Sequence, residues 1–105
     1  MLSDSRQKLP ENSSPAELRK KAGSWLRSVR CELGLSQREL AHRVNMEYYT
    51  FISQIEAGRG RVPADRLRDW AKALEIDPRE FAIKLMKYYD PHSYDMIFGV
   101  DGPRQ

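Results

Sequence analysis

The chain of 105 residues has little thiol or imidazole chemistry: a single cysteine, Cys31, and two histidines, His42 and His92. One cysteine cannot form an internal disulfide, so no disulfide framework is indicated and a reducing cytoplasm is the expected home. The histidines lie far apart and show no metal-ligand spacing with Cys31, so no metal site is expected. No Gly-rich phosphate loop and no nucleophile motif occur. The chain therefore does not read as an enzyme, and no cofactor or small-molecule ligand is expected. Long apolar runs are missing too: nothing approaches the ~20 residues that span a bilayer, and residues 1–14 lack the apolar centre of a secretory signal. A soluble protein with no membrane attachment is expected. Asn12-Ser13-Ser14 matches a glycosylation acceptor, a chance match in a protein that is not exported.

What is present suffices for one compact domain, since a chain of this length hides roughly two-thirds of its unfolded surface on folding. Charge is unevenly spread. Residues 15–62 carry nine Lys and Arg against five Asp and Glu, whereas residues 63–105 carry seven against eight. The basic first half suits a polyanion partner, although solvated helix faces give the same pattern.

Residues 1–14 are polar and without periodicity, which predicts a disordered arm. Ser14, Pro15 and Glu17 then form a helix start of the capping-box type, and Leu18, Ala22, Trp25, Val29 and Leu33 recur at helical spacing up to Gly34. Gly23 and Ser24 weaken the middle, so the helix begins either at Pro15 or only at Trp25. Ser36 and Glu39 frame a second capping box ahead of Leu40, Ala41 and Val44. Asn45 suits a sharp left-handed turn, and a third helix over Glu47–Ala57 places Tyr48, Ile52 and Ile55 inside, ending at Gly58. Pro63 opens a fourth helix with Leu67, Trp70, Ala71 and Leu74 inward. Asp77 and Glu80 read as a further capping box for a fifth helix that Asp90-Pro91 ends. The first strand-like stretch is the tail at Tyr94–Phe98. An all-α domain of five helices over residues 15–90 is predicted, followed by a short C-terminal tail over 91–105.

Residues 36–58 combine two short helices, a tight turn and small Ala41 where the helices cross, which is what a helix-turn-helix requires. The stretch resembles the lambda-repressor-like, or Cro/CI (XRE), family of DNA-binding domains. Leu26, Arg30, Gly34-Leu35-Ser36-Gln37, Leu40-Ala41, Ile52-Ser53-Gln54-Ile55-Glu56-Ala57-Gly58-Arg59 and Trp70-Ala71-Lys72-Ala73-Leu74 carry the likeness, across residues 24–80. One residue more than usual separates Leu40 from the Ile52 run, and Asn45 replaces the usual turn glycine. The turn, or the start of helix 3, must absorb the insertion, which leaves open which side chain enters the groove first.

At ~100° per residue, with Ile52 and Ile55 inward, Thr50, Ser53, Gln54 and Ala57 face outward and Tyr49 lies at the edge. Tyr49, Thr50, Ser53 and Gln54 are the candidate base-contacting residues. Gln pairs with adenine, and Thr and Tyr can meet thymine methyls or phosphates. Tyr48 is expected in the core. Gln37 and Arg38 sit at a helix N-terminus that favours phosphate, and the resemblance implies backbone contact for Gln37. Arg43, Arg59 and Arg61 are further candidate phosphate contacts, with idle solvation as the alternative. The resemblance also implies a structural ion pair between Arg30 and Glu56.

Helix 5 and the tail offer more apolar surface than one core uses. Phe81, Leu85, Tyr88, Tyr89, Tyr94, Ile97 and Phe98 are candidate dimer contacts, unless the tail folds back over its own helices. A homodimer would present paired reading helices to a palindromic operator on double-stranded DNA. The expected function is a sequence-specific transcription regulator, more readily a repressor because no large activating region remains. An antitoxin-like or adaptor module, using the aromatic C-terminal segment to bind another protein, is the alternative.

Overall fold

The computed structural model describes residues 14–99. Every regular element among them is helical: α1 (Pro15–Glu32), α2 (Gln37–Arg43), α3 (Tyr49–Glu56), α4 (Leu67–Ala73), entered through a 3-10 turn at Ala64–Arg66, α5 (Pro78–Tyr89) and α6 (Pro91–Phe98). The all-helical expectation holds, but the α-helices number six among the described residues, one more than predicted. The expected disordered arm lies, apart from Ser14, outside the described residues, as does the end of the tail beyond Gly99.

The helix starts are written locally. Ser14 Oγ accepts from the Glu17 N–H at 3.1 Å while Glu17 accepts from the Ser14 N–H at 3.2 Å. Ser36 and Glu39 repeat the exchange at 3.0 and 2.8 Å. The Ser36 N–H, and then the Ser36 hydroxyl, hold the Glu39 carboxyl below its ordinary pKa. Asp77 caps α5 by accepting from the Glu80 N–H at 3.1 Å. Glu80 returns no such bond, so the third expected box is a plain N-cap.

At the ends one open choice is decided and one reading is corrected. α1 runs unbroken through Gly23 and Ser24, so its start is at Pro15. The strand-like tail is α6: Pro91 presets φ for a first helical turn, and Tyr94 and Phe98, one turn apart, bring their rings to 5.3 Å. β-rich composition loses here to helix initiation and a local aromatic pair.

The core is assembled from every helix except α6. Leu26 of α1, Leu40 of α2, Ile52 of α3, Trp70 of α4, and Phe81 and Leu85 of α5 are fully or almost fully buried together. Each such side chain contributes roughly 1.5–3 kcal/mol of burial. Trp70 Nε1 is buried there without a hydrogen-bond partner, a cost of roughly 1–3 kcal/mol that burial of the indole ring offsets. Phe81 and Leu85 thus belong to the interior of the domain and are not available as dimer contacts. α5 rests on α1 and α4, and α6 packs on α5.

Candidate nucleic-acid interface

The α2–α3 turn occupies residues 44–48. Val44 is buried at its start, Asn45 takes the left-handed backbone with φ 61°, and the Met46 N–H donates to Ala41 O at 2.9 Å. α3 begins at Tyr49, not at Glu47, and Tyr48 stands before it in extended backbone as an N-cap with no capping side chain. Tyr48 is therefore 58% exposed, against the expectation of a core position. Sequence spacing counted it on a helix it does not join. Arg66, which no sequence signal marked, secures the turn by donating from Nη1 to Val44 O at 2.8 Å.

α3 is fixed from behind at several points. Ile52, Ile55 and Glu56 are its buried side. Arg30 of α1 donates from Nε to Glu56 Oε2 at 2.7 Å, from Nη2 to Oε1 at 3.0 Å, and from Nη1 to Leu35 O at 2.7 Å. Gln37 of α2 donates from Nε2 to the same Glu56 Oε1 at 3.0 Å. The Glu56 hydrogen bonds outweigh burial and raise the Arg30 pKa above its ordinary value. One carboxylate therefore ties three helices together.

Two glycines let the main chains close on this point. A Cβ on Gly23 of α1 would stand 2.2 Å from Glu56 O and 2.7 Å from Ile55 O, so α1 crosses the end of α3 in backbone contact. Gly58, with φ 84°, turns the chain away beneath Lys20, and its carbonyl accepts from Arg19 Nε at 3.4 Å. Gly23 reads in the sequence only as a weak spot in a helix; nothing local reveals the neighbour that requires it.

The free side of α3 presents Tyr49, Thr50, Ser53 and Gln54, all exposed. Phe51, which the sequence reading passed over, is exposed beside them; its place off the Ile52–Ile55 stripe was the available signal. Arg38 lies with its guanidinium 4.3 Å from the Tyr49 ring centroid, a cation–π contact that holds both at one edge of the face.

The basic candidates differ in what already holds them. Gln37 uses one amide hydrogen on Glu56 and has the second available. Arg43 donates from Nη1 to Ala73 O at 3.2 Å, closing the end of α4, which assigns it to the scaffold as much as to any ligand. Arg59 is exposed, with no ion pair found among the described residues. Arg61 pairs with Asp90 at 3.1 Å, both about half exposed, and its guanidinium lies 4.5 Å from the Tyr89 ring centroid. Tyr89 in turn accepts from the Val62 N–H at 3.2 Å through its hydroxyl, and burial raises its pKa. Tyr89 thus serves the loop after α3, as an internal prop. Among the described residues no group of His, Cys, Asp and Glu is placed to hold a metal ion, and no helix is long and apolar enough to cross a membrane.

Two short helices across a tight turn, the second clamped from behind and polar on its free side, define a helix-turn-helix module. Comparison with known proteins gives the same class: the helix-turn-helix family model matches residues 26–81. The chain belongs to that family of DNA-binding transcription regulators, in its Cro/CI (XRE) type. The crystal structure of the restriction-modification controller protein C.AhdI from Aeromonas hydrophila is similar to it, with 35% identity over 63% of this chain and 97% of that one, at a TM-score of 0.55. Two crystal structures of the clp gene regulator ClgR from Corynebacterium glutamicum are also similar. They share 31% and 28% identity, cover 64% and 72% of this chain and 86% and 80% of theirs, and give TM-scores of 0.54 and 0.56. No curated protein matches.

Proposed function

We propose that the chain is a sequence-specific regulator that lays α3 in the major groove of double-stranded DNA and represses by occupying a promoter from the cytoplasm. The observation that carries this is the two-sidedness of α3: Ile52, Ile55 and Glu56 are locked to the scaffold while Tyr49, Thr50, Ser53 and Gln54 project outward. Thr50 and Gln54 lie nearest the outward centre and are assigned the base edges, with Tyr49 and Ser53 on one flank. Gln37, Arg38, Arg59 and Arg61 are assigned to phosphates, which position the helix without reading sequence. Arg43 is a lesser contact of that kind. Binding and release need no catalysis, cofactor or small molecule.

A homodimer on a palindromic operator is part of the proposal. Met96, Ile97 and Phe98 of α6 are exposed apolar residues near Tyr94 in the chain and supply the surface, while Tyr88 is half-buried against the core. Two copies joined about a two-fold axis would set reading helices about one turn, ~34 Å, apart. The same α6 face supports a second reading, an adaptor that binds a different protein. Sedimentation decides between them: a monomer with α6 intact removes the homodimer.

Selection of bound duplexes from a random pool, followed by affinity against salt, tests the function. Selected sites should show paired half-sites, and log affinity should fall by ~0.9 per log unit of salt for each phosphate neutralised. A purified chain that ignores duplexes in dilute buffer overturns the assignment.

A further inference from the structure

α3 carries one side chain that neither the core nor the polar reading face explains. Phe51 keeps 45% of its surface in solvent and rests against exposed Tyr48, the two rings 6.2 Å apart. At ~100° per residue it stands ~40° from Ile55, which is buried, and ~60° from Gln54, which points outward. It therefore continues the outward face on the flank opposite Tyr49 and Ser53. Half in water, this ring pair has apolar surface that gains burial when something covers it.

The cover must be apolar and must lie beside the groups that Gln54 meets. In the major groove the C5-methyl of thymine is the apolar group on the base edges, and it projects from the same row of edges that side-chain amides read. We propose that Phe51, steadied by the Tyr48 ring, recognises thymine methyl groups at the margin of each half-site. This adds apolar discrimination to the hydrogen bonding of Thr50 and Gln54. The proposal rests on the DNA-reading assignment of α3 and extends it to a residue outside the polar set. Thymine and uracil differ there by the methyl alone, so the contact separates them where hydrogen bonding does not.

The test uses duplexes that the intact chain selects from a random pool, with each thymine in turn replaced by uracil. Affinities of wild type, Phe51→Ala and Phe51→Leu are read by fluorescence anisotropy, with sedimentation and thermal melts alongside. At particular thymines, uracil should weaken the wild type about fourfold, the equivalent of the ~0.8 kcal/mol of one buried methylene-sized group. Phe51→Ala should bind the thymine and uracil duplexes alike, Phe51→Leu should keep part of the difference, and both should melt with the wild type. Equal uracil penalties in wild type and Phe51→Ala overturn the proposal, as does a wild type indifferent to uracil everywhere. Retained penalties with altered sedimentation assign the aromatic pair to a protein contact and also overturn it. Failure to select any duplex removes the DNA-reading assignment itself, a result distinct from these.

Discussion

Gly23→Ala sets two physical effects against each other, and the geometry decides the sign. By helix propensity alone, replacing a glycine inside α1 with alanine should stabilise by about 1 kcal/mol. The added methyl, however, would meet Glu56 O at 2.2 Å, Glu56 C at 2.6 Å and Ile55 O at 2.7 Å. Real Cβ contacts essentially never fall below 3.0 Å, so α1 and α3 must part by about 0.8 Å at this point. The obstacle is main chain, which no rotamer change can clear. It is also held by the Arg30 pair to Glu56. Overpacking of this kind costs typically 1–3 kcal/mol, and with a backbone obstacle the upper end applies. Less the propensity gain, a net loss of about 2 kcal/mol is expected, or roughly 8–16 °C in the thermal midpoint of a domain this size. Urea and thermal unfolding followed by circular dichroism measure it, with exposed Ser24→Ala on the same helix expected to gain a few tenths of a kcal/mol. DNA affinity should fall in Gly23→Ala, because the displaced element is the reading helix. A raised midpoint in Gly23→Ala would refute the close crossing of α1 and α3.

Glu56→Ala strands the buried Arg30 guanidinium and should cost about 3–5 kcal/mol, whereas the paired change Arg30→Met with Glu56→Leu should recover much of it; a denaturant double-mutant cycle in which the single change costs under about 1 kcal/mol would remove the clamp. Since the Glu39 pKa is lowered in the folded state, its stabilising share is complete above the ordinary carboxylate range and is lost as pH falls through the lowered value. Glu39→Gln should accordingly flatten the acid side of the stability profile, and an unchanged acid limb speaks against the cap as its source. Thr50→Ala or Gln54→Ala should cost on the order of 1–3 kcal/mol at a selected site and relax its sequence preference; site preference untouched by both would mean the register of α3 is wrong. Arg61→Ala should weaken all duplexes about equally and lower the salt slope by about 1, while Asp90→Asn, which frees Arg61 from its ion pair, should not weaken binding.

The chain sequence alone determined what depends on neighbours within one helical turn. Ser14 with Glu17 and Ser36 with Glu39 start helices wherever they occur, Asn45 and Gly34 turn the chain where they stand, and the Leu40, Ile52 and Trp70 stripes mark the core. The polar face of α3 was legible for the same reason, because ~100° of rotation per residue fixes which side chains share a side. Tertiary structure decided whatever depends on a distant partner. It showed that Gly23 is an opening for the backbone of α3, that Arg43 and Arg66 bind carbonyls far along the chain, and that Phe81 and Leu85 are interior. It also started α3 only at Tyr49, which moved Tyr48 from the expected core position to the surface. Capping and periodicity act over a few residues and are written in order along the chain, whereas close approach is a property of two segments at once and exists only after they meet.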